Sequence, residues 1–174
     1  DHIMTFYEDD DIDTLKTTMA KTRVRYFPIT DGYGNYKGLV SRRNYINARK
    51  KQLILVDHNE RTQSVDGVEN AEILEIIDHH RIANIETMNP VYFRNQPLGC
   101  TATIIYQMYK EQNVKIDKPI AGLLCAAILS DTLAFKSPTC TFIDEAAAKE
   151  LARLAEIDIY EFAMEMFDAG SNLK

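Results

Sequence analysis

The segment ILEIIDHHRI, Ile73–Ile82, decides how the chain is read. An apolar run ends abruptly in one carboxylate, Asp78, and two adjacent imidazoles, His79 and His80. Short runs rich in isoleucine, leucine and valine mark strands buried on both faces of a parallel sheet. A second run, LILVDHNE at 53–60, ends the same way, in Asp57 and His58. The chain has only four histidines, and three of them stand at the ends of these two segments. In open parallel sheets, ligands bind beyond the carboxyl ends of the strands, so function is sought there.

Working outward, PVYFRNQ (90–96) reads as a third strand. The stretches 100–113, 118–131, 144–156 and 159–170 carry apolar residues three and four apart, the spacing of amphipathic helices. Strands with helices between and after them predict an α/β layer over residues 52–174, a parallel sheet with helices on both faces.

Residues 1–51 have a different texture. DIDTLKTTMAKT (11–22) reads as a helix, with Leu15 and Met19 four apart and Asp11 or Asp13 as N-cap. RYFPIT (25–30) and GLVS (38–41) read as strands flanking the glycine-bearing turn DGYGNYKG. RRNYINARKK (42–51) reads as a short basic helix. A small α+β unit of β-α-β-β-α order thus precedes the sheet.

Hydrophobic residues make up 45% of the 174, enough for a packed core. A net charge of −6 argues against a general nucleic-acid-binding surface but leaves room for a small phosphate ligand. Three cysteines without a CxxC pair argue against a disulfide framework or a zinc–thiolate site, and favour the cytoplasm. No apolar run is long enough to span a bilayer, and IAGLLCAAILSD (120–131) is the length of a buried helix. The chain opens on DHIMT rather than on a methionine, which suggests a portion of a longer protein.

Asp57, His79 and Asp131, the last at the end of an apolar helix, form a set of oxygen and nitrogen donors. Such a set suits Mn²⁺, Co²⁺ or Mg²⁺ better than a soft, thiolate-loving ion. A strand-end carboxylate can bridge two ions and support hydrolysis by an activated water. His80 could pass a proton or a hydrogen bond to a phosphate oxygen, and Asp78 could fix an imidazole. The alternatives are that strand-end aspartates cap following helices and that the His pair lies on a surface loop. His58 reads as structural, Cys100 and Cys125 as core thiols. The acidic run EDDD (8–11) reads as a solvated loop containing one helix cap.

VDHNE, IIDHHR, PLGCTATIIYQMY and AAILSDTLAFKSPTCT, taken together and in this order, resemble the DHH phosphoesterase superfamily. Within it they are similar to the family II manganese-dependent inorganic pyrophosphatases over residues 52–173. The resemblance implies a binuclear Mn²⁺ or Co²⁺ centre that hydrolyses pyrophosphate to two phosphates. By position, Asp57 resembles the bridging carboxylate, and His79 and Asp131 resemble ligands of one metal. His80 resembles the catalytic histidine that contacts substrate phosphate, and Lys136 with the SPTCT loop would shape the substrate site. The family's GHxxPDxD motif and its C-terminal substrate domain have no counterpart here, so the resemblance implies that these residues alone are weak or inactive.

Residues 1–51 resemble a CBS motif, placed as in the CBS-containing type of these pyrophosphatases. That resemblance implies an adenine nucleotide, with Ser41 and Asn44 at the ribose, Tyr26 stacked on the base, and Arg25, Arg42 or Arg43 at the phosphates. It also implies a partner for the open pairing face of a lone motif, either the missing first motif or a second chain in a homodimer. Two other readings stay open: a DHH phosphodiesterase for oligonucleotides or cyclic dinucleotides, and a catalytically inactive nucleotide sensor.

Overall fold

The two textures fold separately. The computed structural model describes residues 3–46 and 49–171, and the chain divides into Asp1–Lys50 and Lys51–Lys174. Asp1, His2 and the continuation of the basic helix through Asn47 and Ala48 lie outside the described residues.

The first unit holds β1 (Phe6–Tyr7), α1 (Ile12–Lys21), β2 (Tyr26–Thr30), β3 (Tyr36–Ser41) and α2 (Arg42–Ile46). β2 is central, parallel to β1 and antiparallel to β3. Asp11 caps α1 by accepting from the backbone N–H of Asp13 and Thr14, which satisfies donors the first helical turn leaves free. Phe6, Met19 and Phe27 form its core with Leu15 and Val40 against them. The Phe6 and Phe27 rings meet at 5.1 Å, tilted by 46°, a favourable aromatic arrangement.

The second unit begins with three parallel strands, β4 (Gln52–Val56), β5 (Glu72–Asp78) and β6 (Tyr92–Asn95), with β5 in the middle. Four helices follow: α3 (Thr101–Glu111), α4 (Lys118–Asp131), α5 (Phe142–Ala155) and α6 (Ile159–Ser171). α4 and α5 pack through Cys125, Ile128, Leu129, Ala148 and Leu151, all essentially without solvent exposure. Truncating such a buried leucine to alanine typically costs about 2–5 kcal/mol. α4 is apolar nearly all round, as a helix between other helices should be.

Helices were expected between the strands; the described residues carry them only afterwards. Two 3₁₀ turns link β4 to β5, and residues 79–91 link β5 to β6 without helix or strand. The two faces of β5 are therefore covered differently. Ile77 packs with Leu98 and Ile104 of α3. Ile76, pointing to the opposite face, lines an apolar pocket with Phe93, Ile82, Ile85 and Val91. Asn59 ties down the start of this crossover: its side chain donates to the Arg81 carbonyl at 3.0 Å and accepts from the Ala83 N–H at 2.6 Å, so these backbone groups are satisfied without a helix.

Candidate metal centre

β4 and β5 end side by side. The Asp57 N–H continues the ladder, donating to the Ile77 carbonyl at 2.9 Å. Asp57 itself takes φ 68°, the left-handed conformation that aspartate tolerates better than most residues. Its side chain is about half exposed, and its Oδ1 lies 3.5 Å from Nε2 of His79. The other nitrogen of His79, Nδ1, is 2.9 Å from the Leu98 carbonyl oxygen. A carbonyl only accepts, so Nδ1 carries a proton and Nε2 is the nitrogen that faces Asp57.

Asp78 is fully buried. It accepts from the backbone N–H of His79 at 2.8 Å and of His80 at 3.1 Å, from His80 Nδ1 at 2.8 Å, and from the Asn59 amide. Burial pushes its pKa up, but the bonds from His80, Asn59 and His79 outweigh burial and hold it below the usual carboxylate value. The motif thus ties itself down: Asp78 fixes the turn on which both imidazoles sit. Their ring centroids are 4.1 Å apart, tilted by 59°.

One donor atom each from Asp57, His79 and His80 lies within 4.8 Å of the other two. A freed imidazole nitrogen beside an exposed carboxylate fits a divalent ion of intermediate or hard character. The tight trio contains His80, expected at substrate, where the sequence reading placed Asp131. Asp131 stands exposed at the end of α4. It is not remote, because burial, the Asp131 carboxylate and, more weakly, Asp57 all push the Cys100 thiol up. Asp131 therefore lies close to this buried sulfur. Cys100 is the N-cap of α3, its Sγ accepting from the Ala102 N–H at 3.3 Å. Cys125 is pushed up by burial to about 11. Neither is a thiolate near neutrality.

Three consecutive residues after Asp131 adopt the left-handed conformation: Leu133 at φ 50°, Ala134 at 48° and Phe135 at 70°. Flanking bonds hold them there. Thr132 Oγ1 donates to the Ile128 carbonyl at 2.6 Å, Ala134 N–H to the Leu129 carbonyl at 2.8 Å, and Ser137 N–H to the Thr132 carbonyl at 2.8 Å. Lys136 is exposed on this loop and makes no ion pair among the described residues. His58 lies outside the trio, its Nδ1 3.0 Å from the Val56 carbonyl.

In the first unit, Ser41 and Asn44 are engaged with each other. Asn44 Oδ1 accepts from Ser41 Oγ at 2.5 Å and from Ser41 N–H at 3.0 Å, at the start of α2. Tyr26 is exposed, as are Arg25 and Arg43. The Arg42 guanidinium bonds the Met19 and Thr22 carbonyls at the end of α1, whereas Arg25 and Arg43 are exposed and make no ion pair among the described residues.

Sequence reasoning missed Asn59, Gly99 and Asp144. Asp144 is fully buried and accepts from Gly99 N–H at 2.8 Å, Thr103 Oγ1 at 2.6 Å, Thr141 N–H at 2.8 Å and Thr141 Oγ1 at 2.7 Å. A signal for it was present: TFID at 141–144 is a Thr-x-x-acid capping box, and both halves of that box form at the start of α5. Gly99 is needed for closeness. A Cβ there would lie 2.8 Å from Thr132 Cγ2 and 2.9 Å from Asp144 Oδ2.

The model of the DHH family, N-terminal domain, matches residues 3–128. The chain belongs to the DHH family. Among relatives of this DHH chain, the cobalt-dependent inorganic pyrophosphatase of Clostridium perfringens is 49% identical over all 174 residues, which cover 32% of that protein. The manganese-dependent inorganic pyrophosphatase of Bacillus subtilis is 60% identical over 121 residues, 70% of this chain and 39% of that protein. A Methanococcus jannaschii structure described as a family II inorganic pyrophosphatase superposes with a TM-score of 0.66 at 41% identity, covering 70% of this chain and 43% of that one. The chain therefore spans about a third to two-fifths of the length of these relatives. No helix among the described residues is long and apolar enough to cross a membrane.

Proposed function

We propose that this chain carries part of the metal centre of a manganese- or cobalt-dependent inorganic pyrophosphatase, and that its first unit makes the enzyme nucleotide-regulated. One observation carries the reading: His79 has its Nδ1 proton tied to the Leu98 carbonyl and its free Nε2 set 3.5 Å from the exposed Asp57 carboxylate. In this reading Asp57, His79 and Asp131 hold Mn²⁺ or Co²⁺. The ions supply Lewis acidity and a water activated near neutral pH. His80, its Nδ1 bound to Asp78, turns Nε2 towards a phosphate oxygen of pyrophosphate, and exposed Lys136 meets the same anion. The names of the relatives support both the substrate and the ions.

The first unit is assigned to an adenine nucleotide in a CBS-type site, with Tyr26 at the base and Ser41 and Asn44 at the ribose. The β-α-β-β-α order supports this. So does the reach of the matches: the Clostridium relative aligns over the whole chain, the Bacillus one over about the length of the second unit. The assembly proposed is a cytoplasmic homodimer.

Calorimetric titration with Mn²⁺ and with Co²⁺ tests the centre. Binding that weakens at least tenfold in Asp57→Asn and His79→Gln is expected, following the sensitivity of metal sites to their surroundings. Absence of binding by the unaltered chain overturns the metal assignment. With added Mn²⁺ these 174 residues are expected to turn over pyrophosphate weakly or not at all, and near-normal turnover would contradict the expected incompleteness. Titration with AMP and ATP tests the first unit. Binding weakened by Tyr26→Ala supports it, and heat identical to buffer dilution removes it.

A further inference from the structure

We propose that Asp144 is a positioning residue for His79, acting through the single peptide unit that joins Leu98 to Gly99. The inference rests on the metal-site reading above and adds a residue from the start of α5. His79 Nδ1–H donates to the Leu98 carbonyl at 2.9 Å. The N–H of that same peptide unit belongs to Gly99, and it donates to Asp144 Oδ2 at 2.8 Å. A peptide is planar and resonance-coupled. A carboxylate drawing on its N–H therefore makes its carbonyl oxygen a better acceptor, as in any polarised hydrogen-bond chain.

The effect runs in one direction. A more basic Leu98 oxygen holds the proton on Nδ1, keeps the Nε2 lone pair outward and makes that nitrogen a stronger donor. Histidine ligands commonly obtain this from a carboxylate in direct contact; here a backbone amide stands between the two.

Three features make the relay a built device. Asp144 is fully buried and closed off by four donors, so its charge is directed rather than screened. Hydrogen bonds from Thr103, Thr141 and Gly99 keep its pKa below the usual value against the pull of burial. At Gly99, any side chain would collide with Asp144 and Thr132, so the amide can come this close only without one. Asp144 also caps α5 and bonds α3. The relay therefore starts from the helical core and ends at the imidazole.

The test compares Asp144→Asn with Thr103→Val in the full chain. Asparagine can keep an oxygen towards Gly99 and Thr141 but removes the charge. Valine removes one bond to Asp144 and leaves the Gly99 bond in place. Proton–nitrogen correlation spectra of the metal-free protein read the His79 Nδ1 proton, and calorimetry reads Mn²⁺ affinity. In Asp144→Asn the Nδ1 proton is expected to move upfield and affinity to fall about tenfold, at the lower end of effects seen for groups behind a ligand. Thr103→Val is expected to lower the melting temperature while leaving both readouts in place. An unmoved proton in Asp144→Asn overturns the proposal, and so does an equal loss of affinity in Thr103→Val, since general loosening would then explain both.

If Asp144→Asn does not fold, the unaltered chain decides. Added Mg²⁺ is expected to move the Gly99 amide proton and the His79 Nδ1 proton downfield together, and a stationary Gly99 amide overturns the relay. A chain that binds no metal yet shows the upfield shift in Asp144→Asn supports the relay while removing the metal assignment, so the two failures are distinguishable.

Discussion

Asp57 closes β4 with about half its side chain in solvent and one imidazole nitrogen nearby; Asp78 closes β5, one strand over, with no exposed surface and four donors around it. The residue type and the position at the strand end are the same. The difference shows how a strand-end site divides its work. The buried carboxylate fixes backbone and ring positions, and the exposed one stays open to solvent. A left-handed backbone at Asp57 helps turn its side chain out of the sheet.

The strongest way to break this comparison is to remove the buried acid. Asp78→Ala removes the acceptor of the His79 and His80 backbone N–H groups and of His80 Nδ1, and leaves the Asn59 amide only its bond to the Arg81 carbonyl. Each orphaned buried donor costs about 1–3 kcal/mol, so a loss on the order of 3–5 kcal/mol is expected in urea denaturation. A loss below about 1 kcal/mol would mean the site is not built on Asp78. Acid gives the same lesson. Asp78 and Asp144 both have depressed pKa values, so their contribution is full above the unfolded value of about 3.9 and is lost as pH falls through the lower folded values. Melting temperature should therefore drop below about pH 4, and less steeply in Asp144→Asn.

Gly99→Ala comes next. The added methyl meets Thr132 and Asp144, and overpacking of this kind costs about 1–3 kcal/mol. Calorimetric melting measures it, and a neutral result would show that the loop behind His79 yields easily. Asp57→Asn should do the reverse: asparagine also tolerates the left-handed backbone, so the melting temperature is expected to hold while Mn²⁺ affinity falls at least tenfold. A variant destabilised as much as Asp78→Ala would erase the contrast between the strand ends. The smallest effect serves as a control. Lys118 and Glu156 form an exposed pair at 2.6 Å, and Lys118→Ala should leave melting and metal binding unchanged, since surface pairs contribute little.

Much of this was legible in the chain. Apolar runs ending in Asp57 and Asp78 gave the strands and their busy ends, because period and punctuation are local. Spacing gave α3 to α6 for the same reason. The helix-free crossover at 79–91 was not legible, since Ile82 and Ile85 allow a helix and the Asn59 side chain that holds the segment's backbone comes more than twenty residues earlier. The partnership of Asp144 with Gly99 spans 45 residues, beyond any local pattern, although its capping box was in view. His80 joined the tight trio because Asp78 steers its ring, a matter of side-chain geometry that spacing does not encode.

The left-handed run Leu133–Phe135 has an engineering consequence. Each non-glycine residue in that conformation carries a penalty of about 1–2 kcal/mol, which the anchors on either side sustain. Glycine at Leu133, already solvent-facing, would relieve that penalty and toughen the protein against heat. It would also soften the arm on which Lys136 reaches outward, so thermal hardening and a well-aimed lysine draw on the same three residues in opposite senses.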